Sequence, residues 1–448
     1  MIDLYKNMTS ASATISRTPI GRFIAPNRIS RIEVEGQSTN PVREKWVRPI
    51  FPLRKEFFTE SVLDELQRAL PTLASKSLEP IKLHIGAPSE SPPGGMVQSL
   101  KDSQSVPGAH VYSSSRGEPV LLDAVAAHMK ERYQVDVDPS QEVCITYGSC
   151  PGIFFALRDL LKGGITIVPT PGYPPFITAA EIGEHNIFGI PLTKENNYMP
   201  DLGKVFQHLE EIHAADKVSS VIINYPHNPT GAIASLDYLE KIVELARKYN
   251  FLIISDLAYG EVYSPSGEKP HSIFEIPGAK GYAIELHSFG KTFNATGARA
   301  GFAISDPETI NDLEGKIAFE NIANVHKPIQ FAVARALTDP GCQEDLQRRN
   351  LEYKERFDLM ANGLRDLGWQ VDDFDRGGFF LWVKVPEAET TSKEFFNKLL
   401  YNAGVVVVPG DSFGEEGEGF IRISLTQPKE KLQEVLQRLA TYGFNYSN

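Results

Sequence analysis

From about residue 80 onward the chain repeats one pattern: a short apolar run, a turn, then a segment with apolar residues three and four apart. Residues 81–85 (Ile-Lys-Leu-His-Ile) read as a strand that ends at Gly86, and 119–133 carry Leu122, Val125, Ala126 and Met129 at helical spacing. The pattern continues as strand 143–147, helix 152–161, strand 165–168 and a helix over 174–182. Residues 219–224, 236–249 and 251–254 add strand, helix and strand, and 282–286 and 300–304 complete the set. Strands that are apolar almost throughout need cover on both faces. The pattern therefore predicts an α/β fold, with a mainly parallel central sheet and helices on both faces. Ligands in such sheets bind at the carboxyl ends of the strands, so residues just past each strand are the first candidates for a site.

After Asp306 the character changes. Residues 307–367 are helical in pattern, interrupted near Pro328 and at Pro340-Gly341. Strands are expected at 379–385, 405–408 and 420–425, and a closing helix at 429–442, which together suggest a smaller α+β C-terminal domain. A chain of 448 residues accommodates this division: an N-terminal arm with the start of the small domain over 1–79, a large domain over 80–325, and the small domain over 326–448.

The net charge of -12 and pI near 5.4 leave no basic face for nucleic acid. Cys144, Cys150 and Cys342 are odd in number and form no CxxC pair or zinc spacing, so neither a disulfide framework nor a structural metal is expected. A reducing compartment fits, with the cytoplasm as the expected location. The uncharged stretches 163–180 and 218–236 contain prolines and turn residues and do not read as membrane spans. The first 32 residues carry Arg17, Arg22, Arg28 and Arg31 with Asp3 as their one acid, a composition shared with organelle transit peptides. Pro19, Gly21 and Pro26 interrupt any amphipathic helix there, which favours a polar arm.

Three stretches carry the chemistry. In Ser288-Phe-Gly-Lys-Thr-Phe-Asn-Ala-Thr-Gly-Ala-Arg299, a lysine sits on a glycine-flanked loop between two apolar strands. Desolvation makes the Lys291 amine lose its proton more easily and attack an aldehyde. Ser288 and Arg299 could hold a phosphate dianion; alone, the stretch could equally be a generic phosphate loop. Ile222-Ile-Asn-Tyr-Pro-His-Asn-Pro-Thr-Gly231 ends a strand in a turn and brings Asn228 to a carboxyl end. Asp256 ends the next strand, with Tyr259 three residues on. A carboxylate there is costly without a cationic partner, and a protonated pyridine nitrogen would be one. Asn228 and Tyr259 could donate to a phenolate oxygen across that ring. As isolated features, these are also a common turn and a helix-capping acid.

Taken in order, the Asn-Pro-Thr-Gly turn, Asp-x-x-Tyr, and Ser-x-x-Lys with an Arg eight residues on resemble the class I and II aminotransferases of pyridoxal-phosphate (PLP) fold type I. Gly86-Ala-Pro88, Tyr112 with Gly117, Pro171-Gly-Tyr-Pro174, Gly377-Gly-Phe-Phe380, Pro409-Gly410 and Ile421-Arg-Ile-Ser424 extend the likeness over about four-fifths of the chain. Glu285-Leu-His-Ser is closest to the LL-diaminopimelate and alanine branches.

The resemblance implies that Lys291 binds PLP as a Schiff base and serves as the catalytic base. Asp256 would bind the pyridine nitrogen, Asn228 and Tyr259 the phenolic oxygen, and Tyr173 would stack on the ring. Ser149 and Cys150 at a helix start, with Ser288 and Arg299, would hold the phosphate. Tyr112 would reach the phosphate of a neighbouring subunit, which implies a homodimer. Arg422, with Gly86 and Asn228, would hold the substrate, the arginine gripping its α-carboxylate; the alternation around Arg422 also suits a solvated strand face. The expected reaction moves an amino group between an amino acid and a 2-oxo acid by a ping-pong cycle. Oxidative deamination, elimination or decarboxylation on the same scaffold is the alternative. Gly290 and Ala298 depart from the residues many relatives carry, and Cys150-Pro151 is unusual at the phosphate helix.

Overall fold

The computed structural model describes residues 21–24, 58–161, 163–372, 377–387 and 390–446. Apart from 21–24, the polar first 32 residues lie outside the described residues.

The strands run in chain order as β1 (Arg22–Ile24), β2 (Ile81–Lys82), β3 (Val143–Thr146), β4 (Ile165–Thr170), β5 (Asn186–Pro191), β6 (Val218–Ile223), β7 (Leu252–Asp256), β8 (Ala283–Ser288) and β9 (Gly301–Ile304). Toward the C-terminus follow β10 (Phe380–Lys384), β11 (Val405–Val406), β12 (Val408–Pro409) and β13 (Phe420–Ser424). Eight strands form the large sheet in the order β1-β5-β4-β6-β7-β8-β9-β3. Neighbours are parallel from β5 through β8, while β1 and β9 run antiparallel to the strands they pair with. Every residue of β3 and β4 is buried, as expected for strands covered on both faces.

The helices form where periodicity and caps agree. Leu236–Tyr249 starts at Ser235, whose side chain accepts from the Tyr238 N–H, and buries Leu239, Ile242, Val243 and Ala246 on the sheet. The helical stretch after Asp306 splits into Pro307–Asn321, Lys327–Thr338 and Pro340–Asp366, with prolines in the first turn of each. A smaller antiparallel sheet, β10-β13-β12, lies among the C-terminal elements. It packs with Val62, Leu66 and Leu73 of the helix Phe58–Ser75 and with Met360 and Leu364 in one apolar cluster.

Two expected strands are shorter than their apolar runs. Within 81–85, Ile81 and Lys82 alone pair, parallel to β11, because His84 and Ile85 turn toward a cavity. The run 405–408 is broken: Val405 and Val406 pair with β2, whereas Val408 and Pro409 pair with β13. The helix expected at 152–161 begins earlier, at Ser149, and its last turn, Ala156–Leu160, widens into a π-helix. Strand β5 and the helix Leu202–Glu211 are additions to the sequence reading.

Candidate active site

The carboxyl ends of β6, β7 and β8 finish side by side, with Ile223 opposite Ser255 and Asp256 opposite Leu286. Above them opens a cavity of about 320 Å³. Gly86, Ser149, Tyr173, Asn228, Asp256, Tyr259, Ser288, Lys291 and Arg422 line it, so nine of the residues expected from the sequence meet in one space.

Asp256 is the last residue of β7 and is buried, and its Oδ1 has no hydrogen-bond partner among the described residues. Burial pushes the carboxyl up to about 7, against hydrogen bonds from the Ser149 hydroxyl and the Ala258 N–H and the charge of Lys291. Its backbone carbonyl accepts from Asn224 Nδ2 at 2.8 Å, and Asn224 Oδ1 accepts from the Asn228 N–H at 3.0 Å. Asn224 thus ties the turn after β6 to the end of β7. Glu285, buried on β8, accepts from Ser255, Ser272 and the Ile273 N–H and pairs with His287 at 3.0 Å, fixing the same strand ends from within the protein.

Lys291 follows β8 on a single helical turn, Phe289–Thr292. Its Nζ donates to the Gly86 carbonyl and lies 5.8 Å from the centre of the Tyr259 ring. Burial, then the charges of Arg422 and Arg299, lower the amine to about 8, against the pull of Asp256. Gly290 beside it has a steric reason: a Cβ there would lie 3.0 Å from Thr296 Cα and 3.4 Å from the Ala295 carbonyl.

Arg422 comes from the middle strand of the small sheet and is only 2% exposed, which removes the solvated-face reading. Its guanidinium stands 4.2 Å from the centre of the Phe380 ring, and donates to Asn228 Oδ1 and the His84 carbonyl, each at 2.9 Å. Burial lowers its pKa to about 10, which Tyr259 and Tyr173 oppose. The Tyr259 phenol is pushed up by burial, and its ring meets Phe379 and Phe380 edge-on.

Beside the lysine turn, Gly148 (φ 94°) leads into the helix Ser149–Phe155. Gly148 and Gly301 pack backbone to backbone, since a Cβ on Gly301 would lie 2.8 Å from Gly148 Cα. Arg299 donates to the Tyr147 and Thr296 carbonyls at 3.2 and 3.0 Å, which sets its guanidinium against this helix start.

Three expected residues do not line the cavity. Cys150 and Arg299 lie at the helix start behind it; burial, with Asp256, pushes the Cys150 thiol up to about 11 and keeps it neutral. Tyr112 is 77% exposed. Conversely His84, Asn224 and Phe380 line the cavity without having been singled out. His84 is held near pKa 4 by burial and then by the charges of Arg422 and Lys82. Asn224 carried a signal, as the first polar residue after an apolar strand.

These groups fit PLP. The unpartnered Asp256 oxygen suits a protonated pyridine nitrogen, the buried amine of depressed pKa suits an aldehyde, and the glycine-lined helix start with Arg299 suits a phosphate.

Comparisons with known proteins agree. A family model for aminotransferase class I and II matches residues 79–439. The LL-diaminopimelate aminotransferase of Aquifex aeolicus is 38% identical over 376 residues, covering 84% of this chain and 94% of that protein. LL-diaminopimelate aminotransferase 2 of a Nostoc species is 34% identical over 400 residues, covering 89% of this chain and 100% of its own length. Substrate-bound BacF from Bacillus subtilis superposes with a TM-score of 0.79 at 30% identity, over 86% of this chain and 96% of that one. The aromatic aminotransferase from Pyrococcus horikoshii gives 0.75 at 26% identity, over 84% and 98%. Motifs, cavity and relatives lead to one conclusion: the chain belongs to the class I and II aminotransferases, enzymes that transfer amino groups with pyridoxal phosphate.

Proposed function

We propose that this enzyme takes an α-amino acid as donor and a 2-oxo acid as acceptor in two alternating half-reactions, with Lys291, Asp256 and Arg422 as its working residues. The observation that carries this reading is their meeting in one cavity, at the carboxyl ends of the central strands. Bound PLP supplies an electron sink for the substrate α-carbon. Lys291 would hold the cofactor by its aldehyde, and its amine would move the proton at the substrate α-carbon. Asp256 keeps the pyridine nitrogen protonated. Asn228 and Tyr259 would donate to the phenolic oxygen, Tyr173 would cover the ring, and Ser149 and Ser288, with Arg299 and the backbone of Cys150 at the helix start, would hold the phosphate. Arg422, steadied by Asn228 and the His84 carbonyl, receives the α-carboxylate beside Gly86.

The names of the relatives make LL-diaminopimelate the first donor to test. Amino acids are added singly to the purified protein while its absorbance is followed. A donor should convert the cofactor band to the pyridoxamine form, and a 2-oxo acid should restore it. Consumption of oxygen or release of ammonia in place of that reversible change would contradict amino transfer.

We further propose a homodimer with shared sites, in which Tyr112, exposed together with the neighbouring Val111, reaches the phosphate of the second copy. Subunits of Lys291→Ala and Tyr112→Ala, each inactive alone, should regain activity when mixed, because one site of the mixed dimer carries neither lesion. Exchange without recovery would mean that each site is built within one chain. For the domains we propose an arm with the start of the small domain over 1–79, a large domain over 80–325 and a small domain over 326–448; the apolar cluster that joins Val62 and Leu66 to Met360, Leu381 and Ile421 supports the small one. We place the protein in the cytoplasm, with an organelle as the alternative if residues 1–32 act as a transit peptide.

The depressed pKa of Lys291 sets a pH dependence. Only the neutral amine attacks the aldehyde, so PLP attachment to cofactor-free protein should slow about tenfold per pH unit below about 8 and level off above it. Stopped-flow absorbance measures this, and a rate still rising toward the ordinary lysine range would contradict it.

A further inference from the structure

Strand β1 lies outside the residues 79–439 that match the family, yet it adds an edge to the large sheet. It pairs Arg22 with Gly189, Phe23 with Phe188 and Ile24 with Ile187. Gly21 permits the approach: at φ 145°, a Cβ there would lie 2.5 Å from the Phe188 ring.

From this edge Arg22 reaches two acids far along the chain. Its Nη1 is 2.5 Å from Glu415 Oε2 and its Nη2 is 3.2 Å from Glu416 Oε1. Glu415 is exposed, and water screens that pair. Glu416 differs: its Oε2 is buried and without a hydrogen-bond partner among the described residues. The Glu416 side chain is half-buried, with this one oxygen closed off from water, and Arg22 is the cation beside it.

The turn carrying these acids touches the active site twice. The Phe413 carbonyl accepts from the Gly172 N–H at 2.9 Å, next to Tyr173, and the Phe413 ring stands 5.0 Å from the Arg422 guanidinium. The turn has little slack, since a Cβ on Gly410 would lie 2.0 Å from the Gly417 carbonyl. A shift at Glu416 would therefore be passed to Phe413, and from there to both Arg422 and Tyr173.

We propose that the N-terminal strand is a strap, and that Arg22 is a positioning residue for the substrate carboxylate, acting through Glu416 and the 410–417 turn on Arg422. This rests on the reading that Arg422 grips the carboxylate. The strap reaches a site that, apart from Leu63, the family-matched part of the chain builds, and it adds to the binding of donor and acceptor alike because both carry that carboxylate.

The test uses the full-length enzyme loaded with PLP and the amino acid that gives the largest absorbance change in the panel above. Michaelis constants for donor and 2-oxo acid, kcat, PLP retention and thermal midpoint are measured for Arg22→Ala, Arg22→Lys, Arg22→Ala with Glu416→Gln, and Arg422→Lys. Arg22→Ala should raise both Michaelis constants about two- to fivefold, with a smaller change in kcat and full PLP retention. Arg22→Lys should recover part of the loss. Glu416→Gln in the Arg22→Ala background should recover most of it, because the half-buried carboxylate that Arg22 paired with is gone. Unchanged Michaelis constants in Arg22→Ala, with strongly raised ones in Arg422→Lys, would overturn the strap and leave the Arg422 reading standing. Wild-type values in Arg422→Lys would overturn both. A fall in thermal midpoint and PLP retention that Glu416→Gln does not relieve would mark Arg22 as merely structural and also overturn the proposal.

Discussion

Lys291→Ala is expected to lower the half-reaction by at least about 10⁴-fold while the protein still takes up PLP, because in the proposed function the change removes the amine that would bind the aldehyde and carry the proton. The fold should tolerate it. Lys291 stands on a short turn held by backbone bonds, from Phe289 N–H to the Ala300 carbonyl at 3.1 Å and from Ala295 N–H to the Gly290 carbonyl at 3.0 Å, and none of them uses the side chain. Truncation also removes a buried amine whose protonation burial already disfavours. PLP should remain bound through the phosphate and ring contacts, so occupancy and turnover should separate. Single-turnover absorbance with equilibrium dialysis of the cofactor measures both, and substantial turnover in the variant would contradict the role.

Asp256→Asn and Asp256→Ala should reduce turnover about 10²- to 10³-fold, far more than they reduce cofactor occupancy. The cavity keeps its shape, because the Asp256 backbone is held by Asn224 and by its pairing with Leu286. What would be lost is the charge that, in the proposed function, keeps a proton on the ring nitrogen. The cofactor-free protein offers a second readout. Burial raises Asp256 to about 7, so the folded state binds its proton more tightly than the unfolded state does. Its contribution to stability is full below the ordinary carboxylate pKa and is lost as pH rises through about 7. Asp256→Asn should flatten that part of the stability profile, as read by denaturant melts from about pH 4 to 8. Near-normal turnover in Asp256→Ala would mean that another group serves the ring nitrogen.

Much of the site was legible because its residues follow strands in order. Asn228, Asp256 and Lys291 each come just after an apolar run, and a parallel sheet gathers such positions at one edge. The double-sided strands and the capped helix Leu236–Tyr249 were plain for a related reason: period and caps agree locally. Less legible was whatever depends on contacts between distant segments. His84 and Phe380 line the cavity only because β2 pairs with β11 and β10 with β13. Periodicity could not tell whether Arg422 faced water or the core, since either face suits an alternating strand. Strand β5 contains Gly189 and ends at Pro191, which weakens its pattern; it forms because β4 and β1 flank it. Nor could adjacency to Ser149 tell that Cys150 would stay out of the cavity. Arg22 carried no signal at all, because Glu415 and Glu416 lie nearly 400 residues away along the chain.

The most direct test of the account is to reduce the PLP-loaded enzyme with borohydride and map the modified lysine by peptide mass. The account predicts one stable adduct per chain, on Lys291, absent from Lys291→Ala and diminished when a donor amino acid is added first. An adduct on any other lysine, or a cofactor that borohydride cannot fix to the protein, would contradict it.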